Sequence, residues 1–292
     1  MLQGQAIRDV VQLLQQRKAK LYHACQLVDF QSYLRLKGIP SRVLMEAEGL
    51  PYTNFDTDDS DRTNGVWDKV FGNFSDFGLT FARGHVAIPN VYGPILLRIK
   101  PDAFLEATDL AICLRSAGGK GFNRETESLA SVKEVDRLFK HSQNHDRASW
   151  IKFRKELQEE FSMPEASAPE FSCTVASGKF PLEYVEFAQV DSYVIGGKSL
   201  CDRVKQLKTE NGSNFPIYNR RDHCPSYTNE LVEILVNSNS APSLSNLCQS
   251  LSVSSDLRVW AKAVIDRNLE YQFNRFARYL INGTIEPMLE SP

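Results

Sequence analysis

The stretch Leu21-Tyr22-His23-Ala24-Cys25, followed by Asp29-Phe30-Gln31-Ser32-Tyr33-Leu34 and then Gly38-Ile39-Pro40-Ser41-Arg42, constrains this chain more than any other. It reads as a short strand ending on a histidine, a turn, an amphipathic helix, and a glycine that stops the helix. Leu27, Phe30 and Leu34 recur every three to four residues, so one helical face is apolar. Gly38 stands where a left-handed cap is wanted, and Pro40 soon after forbids continuation. A strand-end histidine is more often a satisfied structural group than a ligand, so His23 acquires meaning only from the residues that join it.

The chain has 292 residues, 42% hydrophobic and 24% charged, enough for a full apolar core. With 34 Lys plus Arg against 36 Asp plus Glu, binding of nucleic acid by bulk charge is excluded, while a local basic groove is not. Six cysteines without a C-x-x-C pair argue against a zinc site and against a disulfide framework, so no metal is expected. Residues 3–18 read as a helix lacking the apolar centre of a signal peptide, and no run reaches membrane-span length; a cytoplasmic protein is expected.

From Pro51 the chain turns polar: Tyr52 to Gly65 carries Arg62 among aspartates and reads as a long surface loop of the kind that is often functional. Aromatic and β-branched runs follow at 66–74, 77–81, 95–99 and 110–114, with short turns rather than crossover helices between them, which predicts an α+β fold. Gly118-Gly119-Lys120-Gly121 lacks the spacing of a phosphate loop and reads as a turn. A charged helical insertion is expected at about 123–165, its basic residues interleaved with Phe and Trp, and residues 163–172 read as a linker. Later, Tyr218 to Tyr227 reads as a polar, basic, aromatic loop that is expected to run straight into a β-strand carrying Glu230 and Glu233 and ending in the apolar run to Val236. A single amphipathic helix at about 256–281 closes the chain, and residues 1–292 read as one domain.

These pieces together resemble the ADP-ribosyltransferase superfamily. Leu21-Tyr22-His23, Phe30 to Leu34 and Gly38-Ile39 are similar to the poly(ADP-ribose) polymerase pattern. Gly38-Ile39-Pro40-Ser41-Arg42, the loop Gly49 to Arg62 and Glu233-Ile234-Leu235-Val236 resemble more closely the DarT-like toxins, which attach ADP-ribose to bases in nucleic acid. The similarity covers about residues 20–100 and 215–250. It implies a split mixed/antiparallel β-sheet core with flanking helices and the helical insertion. NAD would be the co-substrate, cradled by His23, Ala24, Cys25, Asp29 and Arg42, with Tyr92 or Phe81 stacked on the nicotinamide. Arg62 would act from the covering loop. The catalytic carboxylate is Glu233 or Glu230, with Glu233 preferred; on a regular strand the two would face opposite ways.

The chemistry asks for such groups: cleaving the nicotinamide–ribose bond passes through an oxocarbenium-like state that a carboxylate stabilises and a held pyrophosphate orients. Ala24-Cys25 departs from the family's usual glycine/threonine, and the polymerase tyrosine would fall near Thr80, so single transfer is expected rather than polymer growth. Arg220, Arg221, His223 and Tyr227 suit a base-stacking, phosphate-holding substrate loop for single-stranded DNA or RNA. The resemblance further implies a toxin with an antitoxin or hydrolase partner, in a toxin–antitoxin or phage-defence system. A protein-modifying transferase, an NAD glycohydrolase, and an inactive nucleotide- or partner-binding module remain the alternatives.

Overall fold

An eight-stranded sheet carries the fold, with strands β1 (Leu2–Gln3), β2 (Leu21–Cys25), β3 (Val70–Asn73), β4 (Ile95–Ile99), β5 (Ala107–Cys113), β6 (Glu170–Val175), β7 (Val185–Asp191) and β8 (Ile217–Arg220). The computed structural model describes residues 1–76, 82–83, 86–139, 152, 155–156, 159, 169–220, 227–238 and 240–290. In space the order is β1-β5-β6-β3-β2-β4-β7-β8. All neighbours are antiparallel except the terminal β7/β8 pair, so the sheet is mixed. It is also split. β2 and β3 share one residue pair, Tyr22 with Asn73, whereas β2 is matched along its length to β4 and β3 to β6.

Helices flank this sheet, as the α+β reading expects. In α1 (Gln5–Gln16) the buried Ile7, Val10, Val11 and Leu14 follow a helical period. In α2 (Leu27–Leu36) Phe30, Tyr33 and Leu34 are buried, and Gln26 with Asp29 forms the capping box that starts the helix. Its end differs from expectation. Lys37, not Gly38, takes the left-handed conformation (φ 56°). Gly38 instead begins a ribbon with Lys179–Pro181, where a side chain would meet the Phe180 carbonyl at 2.8 Å. The short α3 (Arg42–Ala47) is capped by Ser41, and α4 (Asp58–Thr63) lies inside the polar segment that reads as a loop.

The second half departs further from expectation. After α5 (Leu200–Glu210), residues expected to form a strand form α6 (Tyr227–Ser238). Tyr227, Leu231 and Leu235, four residues apart, with Thr228 and Val232 beside them, make one buried stripe, and this outweighs the β-branched content of the run. The expected terminal helix is broken in two. Following α7 (Leu244–Gln249), α8 (Ser255–Asp266) ends where Asn268 adopts φ 54° and Leu269 N–H closes on the Val264 carbonyl at 3.0 Å; α9 (Glu270–Leu280) then starts afresh. A π-turn at Ile281–Ile285 leads into a last helix, Glu286–Glu290. One apolar cluster runs from Leu2 to Met288, taking in Phe104, Phe171, Trp260 and Phe273. Of the charged insertion, Val132–Asp136 and Arg137–Phe139 are helical, and most of the remainder lies outside the described residues. None of the described helices is long and apolar enough to cross a membrane.

Candidate active site

The seam between β2 and β3 opens into a cleft enclosing about 1070 Å³, part of it open to solvent. Its walls come from β2 (Tyr22, His23, Ala24), α2 (Asp29, Tyr33), the polar segment (Phe55, Thr57, Asp58, Asp61), β3 and its approach (Trp67, Lys69, Phe71, Gly72, Asn73), and Ser116-Ala117-Gly118; Arg42, Tyr92 and Glu170 complete them.

His23 is held at both ring nitrogens. Nδ1 lies 2.9 Å from the Phe71 carbonyl and Nε2 2.9 Å from the Tyr33 hydroxyl. A carbonyl has no proton to give, so Nδ1 donates. Burial depresses the histidine's pKa, which favours the neutral ring, and Nε2 then accepts from Tyr33. His23 is a fixed wall of the cleft rather than a mobile proton carrier.

Asp29 is buried and organises the neighbourhood. Its Oδ1 accepts from Arg42 Nη1 at 2.9 Å and from Thr53 N at 3.1 Å, while its Oδ2 accepts from Thr53 Oγ1 at 2.6 Å. Arg42 also donates to the Thr53 carbonyl at 3.0 Å and lies over the Tyr52 and Phe55 rings at 4.5 and 5.3 Å. Tyr92 reaches the cleft through an edge-on contact with Phe55, 5.4 Å between centroids. Ala24 lines the cleft, but Cys25 points into the core and is 1% exposed.

Glu170, in a stretch that the sequence reads as a linker, lines the same cleft from the far side of the seam. It heads β6 because Phe171, Cys173 and Val175 alternate into the core behind it, an alternation visible in the sequence once the run is started at residue 170. Its Oε1 accepts from Ala117 N at 2.8 Å, so the glycine-rich turn forms the wall that holds the carboxylate. Burial pushes its pKa up to about 7, with the nearby Asp61 charge adding to the rise. Asp61 is likewise pushed up to about 7, by burial and by Asp58. The cations facing these acids are Arg42 and Lys69.

Several sequence-predicted site residues stand elsewhere. Glu233 is on the exposed side of α6. Glu230, one helical turn earlier, accepts from Ser254 N at 2.7 Å and from its hydroxyl, at the start of α8. Neither lines the cleft, because the run is a helix whose apolar stripe faces the core and whose carboxylates do not. Arg62 is exposed on α4, paired with Glu46 and lying 3.8 Å over the Trp67 ring, outside the cleft wall. Arg220 is buried between Asp76 and Asp191, and Tyr227 is stacked on Trp260 at 5.2 Å, so both serve the interior. Arg221 and His223, like Thr80 and Phe81, lie outside the described residues. Among the described residues no cluster of His, Cys, Asp or Glu is arranged to hold a metal ion.

No protein-family model and no curated protein matches the chain. Among solved structures it is similar to Thermus sp. 2.9 DarT in complex with ADP-ribosylated ssDNA, at 13% identity and a TM-score of 0.44, over 70% of this chain and 95% of that one. The same Thermus protein in complex with NAD+ gives 12% identity and a TM-score of 0.40, over 70% and 96%.

Proposed function

We propose that the protein is an NAD-dependent mono-ADP-ribosyltransferase that modifies a base in single-stranded nucleic acid. The observation that carries this reading is the placement of one carboxylate, Glu170, across the sheet seam from the braced His23, in a cleft that also holds Arg42 and Lys69. Arg42 and Lys69 supply positive charge for a pyrophosphate; Asp58 and Asp61 are acceptors for ribose hydroxyls; Tyr33, Phe55 and Tyr92 supply ring surface for the nicotinamide and adenine. Breaking a glycosidic bond to ribose builds positive charge at the ribose carbon, and a carboxylate fixed by Ala117 N–H stabilises that charge without reorganising. The ionised form can then take the proton from an attacking base nitrogen. In this reading Glu170 has the role that sequence reasoning gave to Glu233, and Arg42 the role given to Arg62. Unchecked base modification blocks copying of the nucleic acid, which fits a toxin kept in balance by a neutralising partner.

The test is to mix the purified protein with NAD and separate pools of single-stranded DNA, RNA and protein, and to look for the mass gain of one ADP-ribosyl group. Gain confined to nucleic acid is the expected result. Gain confined to protein, release of nicotinamide with no acceptor, or NAD binding without turnover would replace the proposal by a protein-modifying transferase, a glycohydrolase or an inactive module respectively.

A further inference from the structure

Six strands contribute side chains to one row on the sheet face away from the main apolar cluster; at its Glu170 end that face is covered by a smaller cluster of Val66, Ala111, Cys113, Ala117 and Phe122. Glu170 of β6 pairs with Asn73 of β3, Asn73 with Tyr22 of β2, Tyr22 with Arg98 of β4, and Arg98 with Phe187 of β7. Tyr218 of β8 ends the row, edge-on to Phe187 at 5.5 Å and 78°. Directly paired residues project to the same face, and the alternate positions Leu21, Cys25, Ile95, Leu97 and Ile99 are those that enter the core. At the usual strand spacing the row is about 24 Å long. Tyr22, Asn73 and Glu170 also line the cleft, so the row runs straight into it.

Along this face Arg98 stands between Tyr22 and Phe187, with Tyr218 beyond. The Arg98 guanidinium lies 5.0 Å from the Phe187 ring. A register jump between Val185 and Phe187 frees Glu186 to meet Arg98 Nε at 3.0 Å and Lys20 at 2.7 Å. Two cations thus face one carboxylate, and the terminal amino groups of Arg98 have no protein acceptor among the described residues. Tyr218 is 53% exposed, and the Arg98 and Lys20 side chains 30% and 25%. Aromatic faces spaced between under-used cations fit unstacked bases and a phosphate backbone, because every base has a π-face whatever its sequence. A peptide strand would be recognised by open backbone edges instead.

We propose that this row is the track along which a single-stranded nucleic acid lies: bases stack on Phe187 and Tyr218, Arg98 and Lys20 take phosphates, and Tyr22 with Asn73 passes the strand into the cleft. The track rests on the reading of the acceptor as nucleic acid. A duplex keeps its base faces stacked and is excluded.

The test is anisotropy with a labelled single-stranded DNA of about 12 nucleotides, its RNA counterpart and a duplex, using the full chain and the Phe187→Ala, Tyr218→Ala and Arg98→Gln variants. NAD affinity and ADP-ribosyl transfer are measured in parallel. Each aromatic variant should weaken single-strand binding about tenfold, and Arg98→Gln should lower the salt slope by about one. NAD affinity should be unchanged, and the duplex should bind at least about tenfold more weakly. Preference for RNA over DNA would support the track and name the sugar. If no oligonucleotide binds, or if all three variants bind like the parent while transfer proceeds, the track is overturned. If the variants weaken binding but the parent transfers nothing, the track stands and the transferase reading falls.

Discussion

Glu170 and Asp61 share one cleft with raised pKa values, both near 7. For Glu170 the native value lies above the ordinary 4.5, so as pH rises from about 4.5 to 7 the unfolded chain loses this proton before the folded one does. Stability contributed by the group therefore falls across that window and stays low above it. Glu170→Gln should stabilise the protein at pH 8 by on the order of 2 kcal/mol and change little at pH 4, as urea unfolding at the two pH values would show. The same variant should reduce transfer by about a thousandfold while NAD still binds, whereas Glu233→Gln should leave the rate within about twofold; single-turnover labelling separates the two. In the parent, transfer should rise with pH through about 7 as the carboxylate ionises. The two arginines differ in the same direct way. Arg42→Ala leaves the buried Asp29 without its ion partner and should cost about 3 kcal/mol. Arg62→Ala, at an exposed and solvent-screened pair, should lower stability far less, and thermal unfolding of both variants checks the contrast. Of these residues, His23, Asp29 and Arg42 were legible because a strand, a capped helix and a following turn are local patterns. Glu170 was not, because two prolines and a run of small residues before it read as linker, and its role depends on strands far away in the sequence.

At the scale of elements, the polar segment 52–63 is a wall of the cleft and is gripped from behind by α9. Asp56 N–H donates to the Tyr279 hydroxyl at 2.7 Å, Arg278 pairs with the Asp56 carboxylate, and Phe55 meets the Tyr279 ring edge-on at 4.8 Å. Arg275 adds a longer contact to Asp56 at 3.6 Å and lies 6.0 Å from the Tyr92 ring. The combined Arg278→Ala and Tyr279→Phe change removes the two contacts to Asp56 made by these residues and leaves the ring contact with Phe55 and the Arg275 contact in place. It should raise the KM for NAD about fivefold, from loosened positioning of Phe55 and Thr57, with a smaller effect on kcat; initial-rate kinetics over a range of NAD concentrations measures both. None of this was legible in the sequence, where 256–281 reads as one amphipathic helix and 52–65 as solvated loop. The break at Asn268 uses asparagine's tolerance of the left-handed conformation, a signal outweighed by the continuous apolar spacing on either side of it. The reassignment of 227–238 has a related cause, since its β-branched residues suit a strand locally while the four-residue stripe suits a helix packed on the rest of the chain.

Across the whole molecule, the apolar cluster is continuous between the sheet and the C-terminal helices. Thr284 is buried against Gln26 and Leu27, accepting from Leu27 N at 3.1 Å and donating to Gln26 Oε1 at 2.7 Å, and Gly283 sits where a side chain would come within 2.6 Å of Gln26. Ending the chain after residue 226 should therefore yield aggregated protein rather than a smaller folded one, as size-exclusion chromatography would show. The mixed α+β class was legible because the strand-like runs over 66–114 are joined by short turns; the helical crossover α5, between β7 and β8, makes the sheet mixed. The seam between β2 and β3 was not, because a single paired residue leaves no periodic trace. The grip on Asp56 also sets a timetable. The cleft wall at residues 52–63 is made more than two hundred residues before its holder at 275–279, so a chain still being synthesised carries an unsupported wall. Only when the segment around Tyr279 has emerged and docked is the site complete. A cleft built this way cannot be assembled from the N-terminal part of the chain alone.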